Sequence, residues 1–207
     1  MQKINVFWSW FQEYKNELYY LHKYNLEVQS YYFGELTSKL EDYDKSLGFV
    51  IKYPENIGNA EMVITTNGNP DGVMYVHNLI AQAPNLSNWK FTAFIQPIID
   101  LEACRLCKDD PYEFNEFTIK ASDIKWLPVE HHEATNKLSL MVYMMGYKQI
   151  IEDIGPTALE DYTFTIFQDL LGEAIVYKKI GNLYYDDLLF NQLEVFPIHE
   201  LPEYLAE

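Results

Sequence analysis

Two apolar stripes near the start of the chain constrain its fold more than any other feature. Phe7, Phe11, Tyr14, Leu18 and Leu21 follow one another at steps of four, three, four and three. That spacing puts all five on one helix face, which must be buried against something. Trp8 and Trp10 widen the stripe. After the polar Lys23-Tyr24-Asn25 the rhythm returns in Phe33, Leu36, Leu40, Tyr43 and Leu47. Helices joined by so short a turn predict an antiparallel hairpin over residues 1–47, its joint apolar face lying on a sheet. Gly48 stands where a left-handed cap would end the second helix, and Gly34 inside that helix points to close approach of the first.

Strand-like text follows. Phe49–Tyr53 and Met62–Thr66 are short and β-branched, and turn-prone residues from Pro54 to Asn59 separate them. Asn69-Pro70-Asp71 reads as a helix start: an asparagine cap, a proline whose missing N–H costs nothing there, and an acid at the positive helix end. Val73, Val76, Ile80 and Ala83 make its stripe, Pro84 stops it, and Trp89–Ile95 is the next strand. Residues 48–96 thus read β-β-α-β. Residues 97–115 read as a loop or short helix. Over 116–180 the order returns, with strands at Phe117–Ile119, Ile124–Val129 and Leu138–Tyr143. A helix runs from Pro156 to Gly172, and Ala174–Lys179 is the answering strand. Residues 181–207 read as a surface tail. The expected fold is α+β, one domain over 1–207: a helical hairpin and further helices on a mixed, largely antiparallel sheet, built as a β-β-α-β pseudo-repeat.

Charge excludes several classes of function. The 207 residues carry 31 acids against 15 bases, a net charge of −16, and Arg105 is the single arginine. Nucleic-acid affinity rests on clustered positive charge and phosphate recognition favours arginine, so neither DNA, RNA nor an anionic membrane surface is an expected partner. No apolar run reaches the roughly 18–20 residues of a membrane span. Glu13, Lys15 and Glu17 interrupt any signal-peptide core, so a cytoplasmic location is expected.

Linear catalytic signatures are missing. There is no phosphate-binding glycine loop, no Gly-x-Ser-x-Gly elbow and no His-Glu-x-x-His, so no cofactor is expected. Cys104-Arg105-Leu106-Cys107 has a spacing that could share a metal or form a redox pair, but no second cysteine pair completes a zinc site. Acids beside it would raise the thiols rather than activate them, and two free thiols is the plainer reading. His131-His132-Glu133 could supply a base and an orienting carboxylate, with Glu173 as a further acid; a polar strand end is the plainer reading. Adjacent acids at Asp109-Asp110 and Asp186-Asp187 match no calcium loop and read as solvated faces, or as the edges of an acidic surface.

One resemblance emerges from the order of features. Phe7-Trp8-Ser9-Trp10-Phe11, the segment Met62–Asn69, Ala83-Pro84 with Trp89 after it, and Leu170-Leu171-Gly172-Glu173 together resemble a family of uncharacterised bacterial proteins with an aromatic N-terminal helix. These motifs are structural, so the resemblance implies no activity and no site residues, and the cysteine pair is not part of it.

Acidity, missing signatures and aromatic abundance favour a non-catalytic binding protein, of the inhibitor or immunity kind, with a basic protein as partner. Two rivals stand beside it. One is a hydrolase-like enzyme whose fold assembles His131, His132, Glu133 and Glu173. The other is a small-ligand module with an aromatic cleft between hairpin and sheet.

Overall fold

The computed structural model describes residues 2–66, 68–114, 117–189 and 194–206. Asn67 of the resembling segment, residue 116 at the start of the second repeat, and 190–193 and 207 of the tail lie outside the described residues. The fold is α+β. The chain expected as one domain divides into two compact units between Ile95 and Gln96. Among the described residues no helix is long and apolar enough to cross a membrane.

The first unit opens with the hairpin, α1 (Gln2–Tyr19) and α2 (Leu26–Tyr43). Its turn is fixed by Asn25, whose side chain accepts the Val28 N–H at 3.0 Å and satisfies one of the four amides a helix start leaves open. The stripes are buried as their spacing requires: Phe7, Phe11, Leu18 and Leu21 from the first, Leu36, Leu40 and Leu47 from the second. They cover a sheet of β1 (Gly48–Lys52), β2 (Ala60–Thr65) and β3 (Trp89–Ala93). β1 and β2 are antiparallel, whereas β2 and β3 are parallel and need a crossover, supplied by α3 (Val73–Ile80). Phe11 meets Trp89 and Phe91 edge-on, with ring centroids 4.9 and 5.2 Å apart. The buried indoles keep their polar ends bonded: Trp8 donates to the Leu79 carbonyl at 3.0 Å and Trp89 to the Lys15 carbonyl at 3.1 Å.

Two glycine readings are corrected here. A methyl group on Gly34 would meet nothing within 4 Å, so it marks no close approach. Gly48 opens β1 and caps nothing; α2 stops earlier because the Asp44 carboxylate turns back to take the Ser46 N–H at 2.9 Å.

The second unit begins with α4 (Leu101–Arg105) and a hairpin of β4 (Tyr112–Phe114) and β5 (Phe117–Ile119). Then come β6 (Lys125–His132), β7 (Lys137–Met144), α5 (Tyr147–Ile154), α6 (Pro156–Leu171), α7 (Glu173–Lys179) and β8 (Ile180–Asp187). The short β9 (Phe196–Pro197) and α8 (Leu201–Tyr204) follow. The main sheet runs β8-β7-β6-β9. Its β6/β7 pair is antiparallel and its β7/β8 pair parallel, the same succession as β1/β2/β3, so the β-β-α-β order recurs.

Two expectations fail in this unit. Ala174–Lys179 is not a strand but most of α7, with the strand beginning at Ile180. Gly172, at a φ of 80°, breaks the chain between two helices rather than ending the helical stretch. Glu173 in the first turn and Lys178 and Lys179 in the last suit the helix dipole, which outweighs the strand-like Ile175-Val176-Tyr177. Nor is the segment after residue 181 a surface tail. β8 extends through Asp187, and Ile198 and Leu201 are wholly buried beside Trp126, whose indole donates to the Pro197 carbonyl at 3.1 Å.

Candidate functional site

The sequence candidates are scattered by this fold. His131 and His132 are neighbours on β6 and so point to opposite faces. His131 is exposed and shares a hydrogen bond with Asn136 Oδ1 at 3.0 Å. His132 is half-buried, with Nε2 2.8 Å from Ser139 Oγ and 3.6 Å from Glu130 Oε2. The acid beside it is therefore Glu130, two residues back on the same strand face, while Glu133 lies exposed in the following turn. Glu173 is wholly buried as the first residue of α7. Of the cysteines, both free, Cys104 is buried and Cys107 exposed. Burial, then the charge of Asp109, pushes the Cys104 thiol up to about 11. No three His, Cys, Asp or Glu side chains among the described residues are placed to hold a metal ion.

Ser139 and His132 sit where the sheet is irregular. β6 carries an extra residue, Val129, between the pairs Pro128↔Leu140 and Glu130↔Ser139. β8 sets Gly181 and Asn182 against Ser139, between Leu138↔Ile180 and Leu140↔Leu183. Ser139 Oγ accepts the Asn182 N–H at 3.0 Å, which the broken ladder leaves over. A serine, a histidine and an acid thus come together without forming a catalytic triad. Ser139 has no exposed surface for a substrate to reach. Glu130 also approaches the same imidazole nitrogen as the serine, whereas a triad acid holds the opposite one. The cluster satisfies buried polar groups at a double bulge.

The second unit has a more open feature: a cleft of ≈ 450 Å³ between the start of α4, the loop after it, β4 and the end of α6. Its walls are partly apolar, with Ile98, Ile99 and Pro111, and four aspartates line it. Asp100 caps α4, accepting from the amides of Glu102 at 2.9 Å and Ala103 at 3.0 Å. Asp169 takes the Tyr112 hydroxyl at 3.0 Å, and burial together with that carboxylate pushes the phenol well above its ordinary value. Asp109 Oδ2 accepts the Ser122 N–H at 3.0 Å, but its Oδ1 is buried without a hydrogen bond, as is Ser122 Oγ. Lys108 is the one basic residue in the lining. With the Tyr112 phenol held protonated, this arrangement offers hydrogen-bond acceptors and negative charge.

Asp109 and Asp110 were visible in the sequence as a candidate acidic edge; Asp100 and Asp169 were not. Asp169 did leave a trace, because an acid in the last turn of a helix opposes the dipole and asks for a local partner, here Tyr112. Ser139 left none. Asp186 and Asp187 lie at the end of β8 and do not line the cleft. Compared with known protein families, with curated proteins and with solved structures, the chain matches none.

Proposed function

We propose that this chain is a non-catalytic, cytoplasmic binding protein whose cleft in the second unit receives cationic side chains of a basic protein partner. One observation carries the reading: four aspartates, Asp100, Asp109, Asp110 and Asp169, line one cleft that holds a single lysine. Carboxylates gathered on one wall repel one another, and a cation with N–H donors placed among them relieves that repulsion. The apolar part of the wall suits the aliphatic stem of such a side chain, whose head would sit among the aspartates. The surplus acidity then also serves encounter, since a negative face steers a positive partner over roughly a Debye length of ~8 Å at physiological salt.

The test is association with a hexalysine peptide at rising ionic strength, for the native chain and for Asp109→Asn with Asp110→Asn. Asparagine keeps an oxygen for the Ser122 amide while removing charge. The variant is expected to associate about threefold more slowly at low salt, with the gap closing as salt rises. An association rate indifferent to both salt and these replacements would return the acidity to solubility alone.

A further inference from the structure

The first unit carries a surface that the cleft reading does not use. Across the two helices of the hairpin, four rings form a chain. Trp10 and Tyr14 of α1 have centroids 5.3 Å apart, Tyr14 and Tyr32 meet across the helices at 6.1 Å, and Tyr32 meets Tyr31 at 5.2 Å. Trp10, Tyr14 and Tyr32 pack their inner edges on the core and keep an outer edge in water, while Tyr31 is 62% exposed. Four contiguous rings with outer edges in water, one of them exposed, give an acidic protein a local apolar strip that a partner can cover.

Carboxylates border this strip. The charge of Glu13, ahead of burial, raises the Tyr14 hydroxyl; burial and then the charge of Glu17 raise that of Tyr32. Glu17 also has one oxygen, Oε2, buried without a hydrogen bond. Ring faces are negative at their centres, and carboxylates beside them deepen that potential, so the strip attracts cations and repels anions. At the tip of the same hairpin Lys23 already stacks on Tyr20, with Nζ 5.2 Å from the ring centroid.

We infer that the Trp10–Tyr14–Tyr32–Tyr31 strip is a docking surface for arginine side chains of a basic protein partner, with Glu13 and Glu17 as the countercharges. Arginine suits it better than lysine, because a planar, weakly hydrated guanidinium stacks on a ring while its edge bonds a carboxylate. A second copy of this chain is a poor occupant: two molecules of net charge −16 repel, most of all through a face that is itself acidic. The inference rests on the reading of the protein as a binder of basic partners, but at a different place on the chain.

The experiment is a titration with a hexa-arginine peptide, followed by tryptophan emission. Trp8, Trp89 and Trp126 are buried, so a change in emission on binding reports the half-buried Trp10. Tyr31→Ala, at an exposed position that leaves the fold intact, is expected to weaken binding about fivefold, and Tyr32→Leu about tenfold, while Tyr32→Phe keeps the ring and stays within about twofold. Asp109→Asn with Asp110→Asn, in the same titration, leaves the Trp10 response unchanged; if it alone weakens binding, the cleft reading stands and the strip fails. Equal affinity of the native chain and Tyr31→Ala overturns the inference. So does a dimer in sedimentation that Tyr31→Ala dissociates, which would give the strip to a second copy.

Discussion

The two sheets follow one succession of strands, yet they are built differently. In the first, β1 and β2 pair without interruption from Gly48↔Thr65 to Lys52↔Glu61, and β2 and β3 from Ala60↔Trp89 to Ile64↔Ala93. In the second, the ladder breaks on both sides of the central strand, each time at Ser139. The difference follows from what each central strand buries. β2 buries Ala60, Met62, Val63 and Ile64, with its polar Thr65 at the end. β7 buries a hydroxyl within its apolar run, between Leu138 and Leu140. A buried hydroxyl needs partners, and a bulge frees the amide of Asn182 and brings in His132 to provide them. One serine thus accounts for the local geometry that brings a hydroxyl, an imidazole and a carboxylate together.

If irregularity is confined to the sheet's polar centre, the two cores should be equally well packed. Phe11→Ala in the first unit and Trp126→Ala in the second should then each destabilise by about 3–5 kcal/mol, as for deletion of a wholly buried ring. Denaturant midpoints and slopes measure this. A loss at Trp126 far below that at Phe11 would mean that the second unit is loosely packed throughout and that the bulges are a symptom rather than a local device.

Glycine sharpens the same contrast with opposite signs. A Cβ on Gly181 would stand 2.8 Å from Ser139 Oγ and 3.3 Å from both His132 Cδ2 and the Ser139 amide nitrogen. The bulge therefore depends on a bare backbone at this point, and Gly181→Ala should destabilise by about 1–3 kcal/mol. Gly34 lies in open space within α2, where alanine has the better helix propensity, so Gly34→Ala should stabilise by up to about 1 kcal/mol. Thermal melts of the two variants decide it. A tolerated Gly181→Ala would show that β8 can move away from Ser139, and that the serine does not hold the bulge.

The parts of the molecule legible in the sequence were the regular ones. The hairpin stripes, the Asn69-Pro70 start before α3 and the alternation of short strands each follow from local periodicity, and the structure places buried Phe11, Leu18, Leu36 and Leu40 where that spacing demands. Ala174–Lys179 misled because β-branched residues also pack in helices when a glycine break and favourable end charges set the frame. The cleft could not be read, since Asp100, Asp109 and Asp169 converge only after α4 and α6 are in place. The aromatic strip was half legible: Trp10 and Tyr14 stood on the first stripe, but only packing shows that Tyr32 extends it across the hairpin.

The smallest effect concerns the step between parallel strands. In the second sheet that step is spanned at Ser139 by a hydroxyl taking the Asn182 N–H; in the first it is spanned by an ion pair between directly opposed residues, Glu61 of β2 and Lys90 of β3, at 2.7 Å. Thr92 donates to the same Glu61 oxygen at 2.5 Å. Burial pushes the Glu61 carboxyl up, but the hydrogen bonds from Lys90 and Thr92 with the charges of Lys90 and Lys52 outweigh it, leaving the group below its ordinary value of 4.5. A carboxyl depressed by folding binds its proton more readily in the unfolded chain. Its contribution is therefore complete above the ordinary carboxylate value and is lost as pH falls through the depressed one. Lys90 is 64% exposed, so screening limits the pair to under about 1 kcal/mol. Glu61→Gln should accordingly be slightly less stable than the native chain near neutral pH, with the difference vanishing in acid. Denaturation curves across that range are the check. A difference that persists unchanged at low pH would mean that Glu61 acts through packing alone, and that the regular sheet owes nothing to charge.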